Sequence, residues 1–212
     1  MLFRPLLTQG TLLLFIVLEA TTSLGQLADA RTGAAGAAAA QYPAAGGIRV
    51  SVAEAAPTGN DDAVAVLRAR RLIVPVAGIP RASLRDSFND PRGANRHEAI
   101  DIIASRGTPV VAVGDGAVVK LFDSVAGGRA VYQFDPEGKF AYYYAHLESY
   151  ARGLKEGMVV RRGDLLGYVG STGNAAAGVP HLHFAIFRLG PERHWWQGTP
   201  VNPYALLNDP EP

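Results

Sequence analysis

The 212-residue sequence contains no cysteine. This absence excludes disulfide bonds, zinc sites built on thiolates and a cysteine nucleophile. It also excludes a lipoprotein anchor, which needs a cysteine at the cleavage site. It does not fix the compartment, because exported bacterial proteins often manage without disulfides. Any metal coordination by this chain therefore depends on nitrogen and oxygen ligands.

An excess of charge of either sign is missing as well. Twenty lysines and arginines face 19 aspartates and glutamates, which gives a formal net charge of +1. Since nucleic acids and strongly acidic partners select basic surfaces, we expect neither as a partner, and we expect a monomer. The short basic run at residues 68–71 is interpreted as a solvated helix face.

The N-terminal apolar run, residues 11–18, is much shorter than the roughly 20 residues that a membrane-spanning helix needs. Arg4 precedes it, and Ala28-Asp29-Ala30 offers a small-x-small cleavage site after it. This order of positive charge, apolar stretch and small residues is typical of a signal peptide. We therefore predict export to the periplasm or the cell exterior, with no stable membrane span after processing.

Composition divides the remaining chain into segments. Residues 31–47 are dominated by alanine and glycine and are interpreted as a linker. Asp61-Asp62 favour the start of a short helix through residues 63–67. The predicted segments are a signal peptide (residues 1–30), a linker with the short helix (31–71), a folded domain (72–207) and a tail (208–212).

The second half of the chain alternates short apolar runs with glycine turns and lacks a long amphipathic helix pattern. Many short strands of this kind are typical of a mainly β fold, and we predict an antiparallel β-sheet domain resembling an open barrel or sandwich. The predicted strands cover residues 108–113, 116–122, 129–134, 140–145, 165–169 and 181–187.

Two histidine motifs can carry chemistry. His97 and Asp101 are four residues apart, a spacing that brings both side chains to one side of either an extended chain or a helix. Alone, such a pair is common on protein surfaces. His181 and His183 lie two apart in an apolar run, so a strand would place both imidazoles on one face, where they need water, a polar partner or a metal.

His146 follows an aromatic run and, alone, fits a packed, hydrogen-bonded histidine. Together the residues indicate more, because a catalytic zinc uses three protein ligands and keeps one position for water. His97, Asp101 and one histidine of the 181/183 pair make that set. His146 and the other histidine are then free for acid–base or oxyanion roles. The residues alone do not choose between His181 and His183.

The order and spacing of these motifs resemble the lysostaphin-type (LytM-like) zinc endopeptidases that act on peptidoglycan. The resemblance covers residues 72–207, and glycine-rich stretches between the motifs at residues 107–116 and 156–173 support it. The family signatures H-x-x-x-D, a histidine after a tyrosine-rich strand, and H-x-H correspond to His97…Asp101, Tyr144-Ala145-His146 and His181-Leu182-His183.

The resemblance implies a specific site and activity. His97, Asp101 and His183 would bind Zn²⁺, and His146 and His181 would be the catalytic histidines. It further implies a small antiparallel β-sheet domain with a groove over the sheet. The implied function is zinc-dependent hydrolysis of peptide cross-links in cell-wall peptidoglycan.

Some features depart from the family pattern. Glu98-Ala99 stands where a glycine is usual, and the loop at residues 174–179 is longer than usual. Ala185 replaces a common glutamate. These changes concern loop shape and substrate preference. The loop and the tryptophans at residues 195–196 are candidates for the rim of the groove.

Two alternatives belong to other functional classes. A non-catalytic relative that binds cell wall or activates another wall hydrolase would lack a ligand or catalytic histidine, whereas all five positions are filled here. The sequence pattern of residues 156–167 is similar to the strand-turn repeats of biotinyl or lipoyl carrier modules. Such modules need a modifiable lysine, but no methionine-flanked lysine is present. Neither a Gly-x-Ser-x-Gly elbow nor a His-Glu-x-x-His helix motif occurs. The residues do not identify the peptide bond that is cut.

Overall fold

A computed structural model describes residues 58–208 of the chain. These residues belong to one of the two units into which the chain divides, Gln41–Pro212. The predicted signal peptide and the alanine/glycine linker lie outside the described residues, and the segment boundaries stay predictions. Within the described part of the chain, none of the helices has the length and apolar character needed to cross a membrane.

Strands dominate the described residues, and every strand pair is antiparallel. The predicted antiparallel β fold is confirmed. In chain order the elements are α1 (Thr58–Ala69), a 3₁₀ turn (Arg81–Ser83), β1 (Pro91–Arg92), β2 (Asn95–Arg96), β3 (Ile100–Ile103), β4 (Pro109–Val111), β5 (Gly116–Ser124), β6 (Gly128–Phe134), β7 (Phe140–Tyr150), β8 (Val159–Val160), β9 (Leu165–Val169), β10 (His181–Leu189), β11 (Gly198–Val201) and α2 (Tyr204–Leu207).

The main sheet has nine strands and does not close into a barrel. Its continuous order is β11-β10-β7-β6-β5-β8, while β3 also pairs with β10, and β9 pairs with both β7 and β4. Strands β3 and β11 share one side of β10, with β3 against its first half and β11 against its second half. The start of β10 is therefore flanked by β3 on one side and β7 on the other.

Alternation along β7 and β10 separates the hydrophobic core from the opposite face of the sheet. Tyr142, Tyr144 and Phe184 are fully buried in the core. Tyr143 belongs to the second cluster on the other face, where His183 also lies. Since neighbouring strand residues point to opposite faces, the aromatic run builds the core with every second residue and a site-bearing surface with the rest.

Helix α1 packs onto the sheet domain and begins earlier than the sequence predicts. It contributes Ala63 and Leu67 to the core. The basic run at its end is only partly solvated, because Arg68 and Arg71 are exposed, whereas the Nη2 atom of Arg70 lies 2.6 Å from Asp135 Oδ2 and 3.3 Å from Glu137 Oε2. The interpretation of that run as solvated is therefore wrong for Arg70, whose side chain is 17% exposed.

Arg70→Met is expected to lower the free energy of unfolding by about 3 kcal/mol, because it leaves a buried carboxylate without its cation. The Asp135 side chain has no exposed surface, and its Oδ1 atom accepts the backbone N–H groups of Lys139 and Phe140. Urea unfolding of the two proteins measures the change. The exposed Arg152 is the matched control, and Arg152→Met should change stability by less than about 0.5 kcal/mol. Equal midpoints for both variants would contradict the prediction.

Candidate metal centre

Three potential ligand atoms converge at the start of β3 and β10. His97 Nε2 lies 3.0 Å from Asp101 Oδ1 and 3.0 Å from His183 Nδ1, and the last two atoms are 3.2 Å apart. Ligand atoms about 2.0–2.1 Å from a tetrahedral zinc lie roughly 3.3–3.4 Å from one another. The three atoms are therefore spaced as ligands of one small metal ion.

The positions of the histidine protons also favour a bound cation at this cluster. His97 Nδ1 lies 3.0 Å from the carbonyl oxygen of Ser87, which can only accept a hydrogen bond. In neutral His97 the proton is therefore on Nδ1, and Nε2 presents a lone pair to Asp101 Oδ1, which is also an acceptor. A proton on His183 Nδ1 can be donated to His97 Nε2 or to Asp101 Oδ1, but not to both. Converging lone pairs of this kind are stabilised by a metal ion.

The protonation states of these groups suit metal binding. Burial lowers the pKa of His183, which favours the neutral imidazole. Burial raises the pKa of Asp101, but the neighbouring imidazoles of His183 and His97 outweigh it and hold that pKa well below its usual value. At neutral pH the carboxylate is therefore ionised while the His183 imidazole is neutral.

Strand pairing places two of the ligand atoms, and a turn places the third. Asp101 and His183 are direct partners in the antiparallel β3–β10 ladder, so their side chains share one face. His97 precedes β3, and the following residue, Glu98, has a left-handed backbone with φ of 56°. The segment is neither the continuous strand nor the helix that the spacing suggested, and the turn brings His97 back towards Asp101.

Glu98→Gly is expected to raise the free energy of unfolding by about 1 kcal/mol relative to Glu98→Ala, because glycine adopts a left-handed backbone without the Cβ penalty. Urea unfolding of both variants measures the difference. Lys155 has no positive φ, so the same pair of substitutions there should give the opposite order. A Glu98→Ala protein as stable as Glu98→Gly would show that the turn carries no strain.

Ser87, which no sequence motif indicates, orients two of the three candidate ligands. Its carbonyl oxygen accepts the His97 Nδ1 proton, and its hydroxyl oxygen lies 3.2 Å from the backbone nitrogen of Asp101, which donates to it. The residue is only 5% exposed. Carbonyl contacts of this type fix the tautomer and ring orientation of metal-binding histidines. No local sequence pattern marks Ser87, because its contacts lie 10 and 14 residues further along.

A backbone irregularity turns His146 towards the same place. Its φ is 62°, in the left-handed region, and the pairing of β7 with β6 and β9 shifts register nearby. Alternation from Ala145 would point His146 into the core and Leu147 out of it. Instead Leu147 is fully buried, and the His146 ring lies 5.0 Å from that of His181 and 5.6 Å from that of His183.

His146 and His181 are held in the same way. The Nδ1 atom of each lies 2.8 Å from a backbone carbonyl oxygen, that of Thr172 for His146 and that of Val179 for His181. The Nε2 atoms are thus free of these contacts, and that of His181 lies 3.8 Å from Asp101 Oδ1. Burial, assisted by the nearby His183, lowers the pKa of His146 to about 4. His146 is therefore neutral at neutral pH and can accept a proton.

Close backbone packing fixes the carbonyl group that holds His146. Gly173 has φ of 72°, and a Cβ atom on it would lie 2.3 Å from the backbone nitrogen of Gly128. Such a distance leaves room for glycine alone. The loop with Thr172 therefore packs directly against the β5–β6 turn, which sets the position of the Thr172 carbonyl oxygen.

The five histidine and aspartate side chains lie in an open groove with a volume of about 550 Å³. The loop at residues 174–179 contributes to its lining, as expected, and so does Tyr143. Of the described residues that line the groove, none is a tryptophan, so a role of residues 195–196 in the rim stays a prediction. Trp195 instead packs against Phe122 and Tyr132, with ring centroids 5.3 and 4.8 Å apart. The described lining residues are Arg92, Arg96, His97, Asp101, Ile103, Gly127, Tyr143, His146, Asn174, Ala175, Ala176, Val179, His181 and His183.

An unclosed antiparallel sheet that carries a histidine–aspartate–histidine cluster in an open groove defines a β protein with a candidate metal centre. Residues 95–203 match the model of Peptidase family M23, and the chain belongs to this family. The predicted resemblance to lysostaphin-type peptidases is thereby confirmed.

Curated relatives and solved structures agree with this membership. The chain is 32% identical to the L-Ala–D-Glu endopeptidase of Bacillus subtilis over 121 residues, which is 53% of this chain and 37% of the relative. It is 35% identical to Staphylococcus simulans lysostaphin over 97 residues, or 44% of this chain and 19% of the relative. The chain thus matches well under half the length of either relative.

Two solved structures share the fold. The structure of lysostaphin from S. simulans gives a TM-score of 0.51 at 25% identity, covering 65% of this chain and 53% of that chain. Helicobacter pylori Csd3 gives a TM-score of 0.50 at 27% identity, covering 66% of this chain and 33% of that chain.

Proposed function

We propose that this protein is a zinc-dependent endopeptidase that hydrolyses peptide cross-links of bacterial peptidoglycan. The observation that carries the proposal is the convergence of three ligand atoms within 3.2 Å, with two further histidines in the same groove. Membership in a peptidase family supports hydrolysis of an amide bond. The name of the B. subtilis relative, an L-Ala–D-Glu endopeptidase, supports a peptide substrate containing D-amino acids.

His97, Asp101 and His183 would hold the metal ion. Two imidazoles and one carboxylate, with no thiolate in the chain, form a ligand set that suits a catalytic zinc with an open fourth position. When bound, zinc supplies a Lewis acid that polarises the scissile carbonyl group and makes water more acidic.

His146 and His181 divide the proton chemistry between them. Because each ring binds a backbone carbonyl group through Nδ1, each keeps Nε2 free of that contact, and both residues line the groove. One Nε2 accepts the proton of the attacking water. The imidazolium so formed then passes the same proton to the leaving amine, while the other ring, carrying a proton taken from solvent, donates a hydrogen bond from Nε2 to the oxyanion on the scissile carbonyl and keeps its proton.

The shape of the groove suits a branched polymer. A cross-linked peptide cannot enter a closed cavity, whereas this groove is open along the sheet. The small side chains of Ala175 and Ala176 line it beside the histidines. These small side chains leave space for a bulky peptide to approach the metal centre from this side.

Digestion of purified cross-linked sacculi tests the proposal. The zinc-loaded protein should lower the amount of dimeric muropeptides and raise that of monomers, while the glycan chains stay intact. Asp101→Ala protein serves as the inactive control. New reducing sugar ends would show a glycosidase, and free intact stem peptides would show an amidase. Either result would contradict the proposal.

We also propose that the protein is exported, to the periplasm or the cell exterior, where it associates with the cell wall. Removal of residues 1–30 would leave Arg31 as the new N-terminus. N-terminal sequencing of exported material tests this. Cytoplasmic protein that retains Met1 would contradict it.

A further inference from the structure

Two arginines of the β1–β2 hairpin border the candidate metal centre. Arg92 and Arg96 are exposed, and both line the groove. Among the described residues that line it, Asp101 is the only acidic one. A divalent metal ion would offset the charge of Asp101, so the two guanidinium groups leave this end of the groove positive.

The carboxyl group of Asp101 lies between Arg92 and the metal centre. Its Nη2 atom donates to Asp101 Oδ2 at 2.7 Å, whereas the other oxygen, Oδ1, faces the two histidines of the cluster. The side chain of Arg92 is 54% exposed. A guanidinium group has five N–H donors, so the contact with Asp101 leaves donors for another acceptor.

The charge of Arg96 is not neutralised by its hydrogen-bond partner. Its Nη1 atom donates to the side-chain oxygen of Asn89 at 3.1 Å, and an amide oxygen carries no net charge. Glu98 is close enough for Arg96 to oppose the rise that burial causes in the Glu98 pKa, but Glu98 does not line the groove. Arg96 therefore retains a positive charge on the groove side of the hairpin.

We infer that Arg92 and Arg96 form a carboxylate subsite that selects peptides with a free carboxylate beside the scissile amide. Guanidinium groups bind carboxylates through paired, charge-assisted hydrogen bonds, which a neutral carboxamide cannot match. This inference rests on the proposed peptidase function and adds a specificity to it.

Arg92 Nη2 lies 2.7 Å from Asp101 Oδ2, so a single carboxyl group separates Arg92 from the metal centre. This short separation limits where the carboxylate of the substrate lies. Each residue of an extended peptide spans at most about 3.3–3.6 Å. A carboxylate that reaches Arg92 while the scissile carbonyl group is at the metal centre therefore lies one or two residues away. Two sources meet this condition, the terminal α-carboxylate of the peptide and a carboxylate on the branch of a diamino acid.

Matched substrates separate these sources and test the subsite. One pair of peptides differs only in a terminal carboxylate or carboxamide, and a second pair differs only in a carboxylate or carboxamide on the diamino acid. The wild-type protein should prefer the carboxylate member of one pair by at least about tenfold in kcat/KM. The preferred pair identifies the source, and the preference should shrink at high salt.

Arg92→Gln and Arg96→Gln should each lower the carboxylate-to-carboxamide ratio of kcat/KM, and the double variant should bring it close to one. Arg152→Gln is the matched control, since Arg152 is exposed and does not line the groove. If Arg92 only positions Asp101, its replacement will slow both members of a pair equally and leave the ratio unchanged. That result, or a wild-type protein without preference, would overturn the inference.

Calorimetric titration with the same peptides gives a readout that does not need turnover. The carboxylate member should bind more tightly than the carboxamide to wild-type protein, with and without zinc, and the difference should vanish in the double variant. If the zinc-loaded wild type cuts no peptide while this difference is observed, the proposed function fails and the subsite stands. Equal binding of both members would overturn the subsite itself.

Discussion

Asp101→Ala and His183→Ala are expected to lose bound zinc and peptidase activity together. Each substitution removes one of three converging ligand atoms, and two ligands do not hold a catalytic zinc. Loss of an outer-shell contact already costs about 10–100-fold in metal affinity, so loss of a ligand should cost more than about 100-fold. Equilibrium dialysis followed by elemental analysis measures the affinity, and hydrolysis of sacculi measures the activity.

His194→Ala is the matched control for these two variants. His194 is exposed, stacks on Trp196 with ring centroids 4.6 Å apart, and does not line the groove. The control should keep both zinc and activity. Thermal unfolding adds an independent check, since a metal ion that binds only the folded state stabilises it by about 2.7 kcal/mol at a concentration of 100 times Kd. Zinc-dependent stabilisation that persists in Asp101→Ala protein would place the metal elsewhere.

His146→Asn should keep bound zinc and lose most of its turnover. The substitution leaves the three ligands in place but removes a group that accepts or donates the catalytic proton, which typically contributes about 10²–10⁴-fold to kcat. Asparagine is the suitable replacement, because it tolerates the left-handed backbone found at this position better than alanine does. Single-turnover kinetics with a defined cross-linked peptide and parallel metal analysis measure the two effects.

A different outcome would assign His146 to another role. Metal-free His146→Asn protein would mean that this imidazole binds the metal ion. Unchanged turnover would mean that His181 alone handles the proton. The same measurements on His181→Asn distinguish these cases, since the two rings hold equivalent carbonyl contacts but only His181 lies on β10.

The sheet was predictable because its strands follow regular rules. The aromatic run of β7 and the apolar run of β10 alternate without interruption from Phe140 to Ala145 and from His181 onwards, and the structure follows that alternation. The same rule placed His181 and His183 on one face. Predictions that depend on the two-residue period of a strand therefore succeeded wherever the backbone stays extended.

The arrangement of the other groups was not predictable, for a physical reason. His97 and His146 owe their orientation to left-handed backbone conformations, at Glu98 and at His146 itself. These residue types rarely adopt such a conformation, and tertiary contacts impose it. Ser87 and Arg92 meet the cluster only after the chain has folded back from the preceding loop and hairpin, so no spacing pattern marks either residue.

Ser87 couples the affinity for metal to the local folding of the loop at residues 87–101. A single residue holds the ring of His97 and the backbone of Asp101, so the loop must be closed before both ligands are in place. A bound ion would then oppose every opening of that loop. Amide hydrogen exchange around residues 87–101 should slow in proportion to metal occupancy, whereas exchange in distant strands should not. The rate of amide exchange in this loop would thus indicate what fraction of the protein has bound metal.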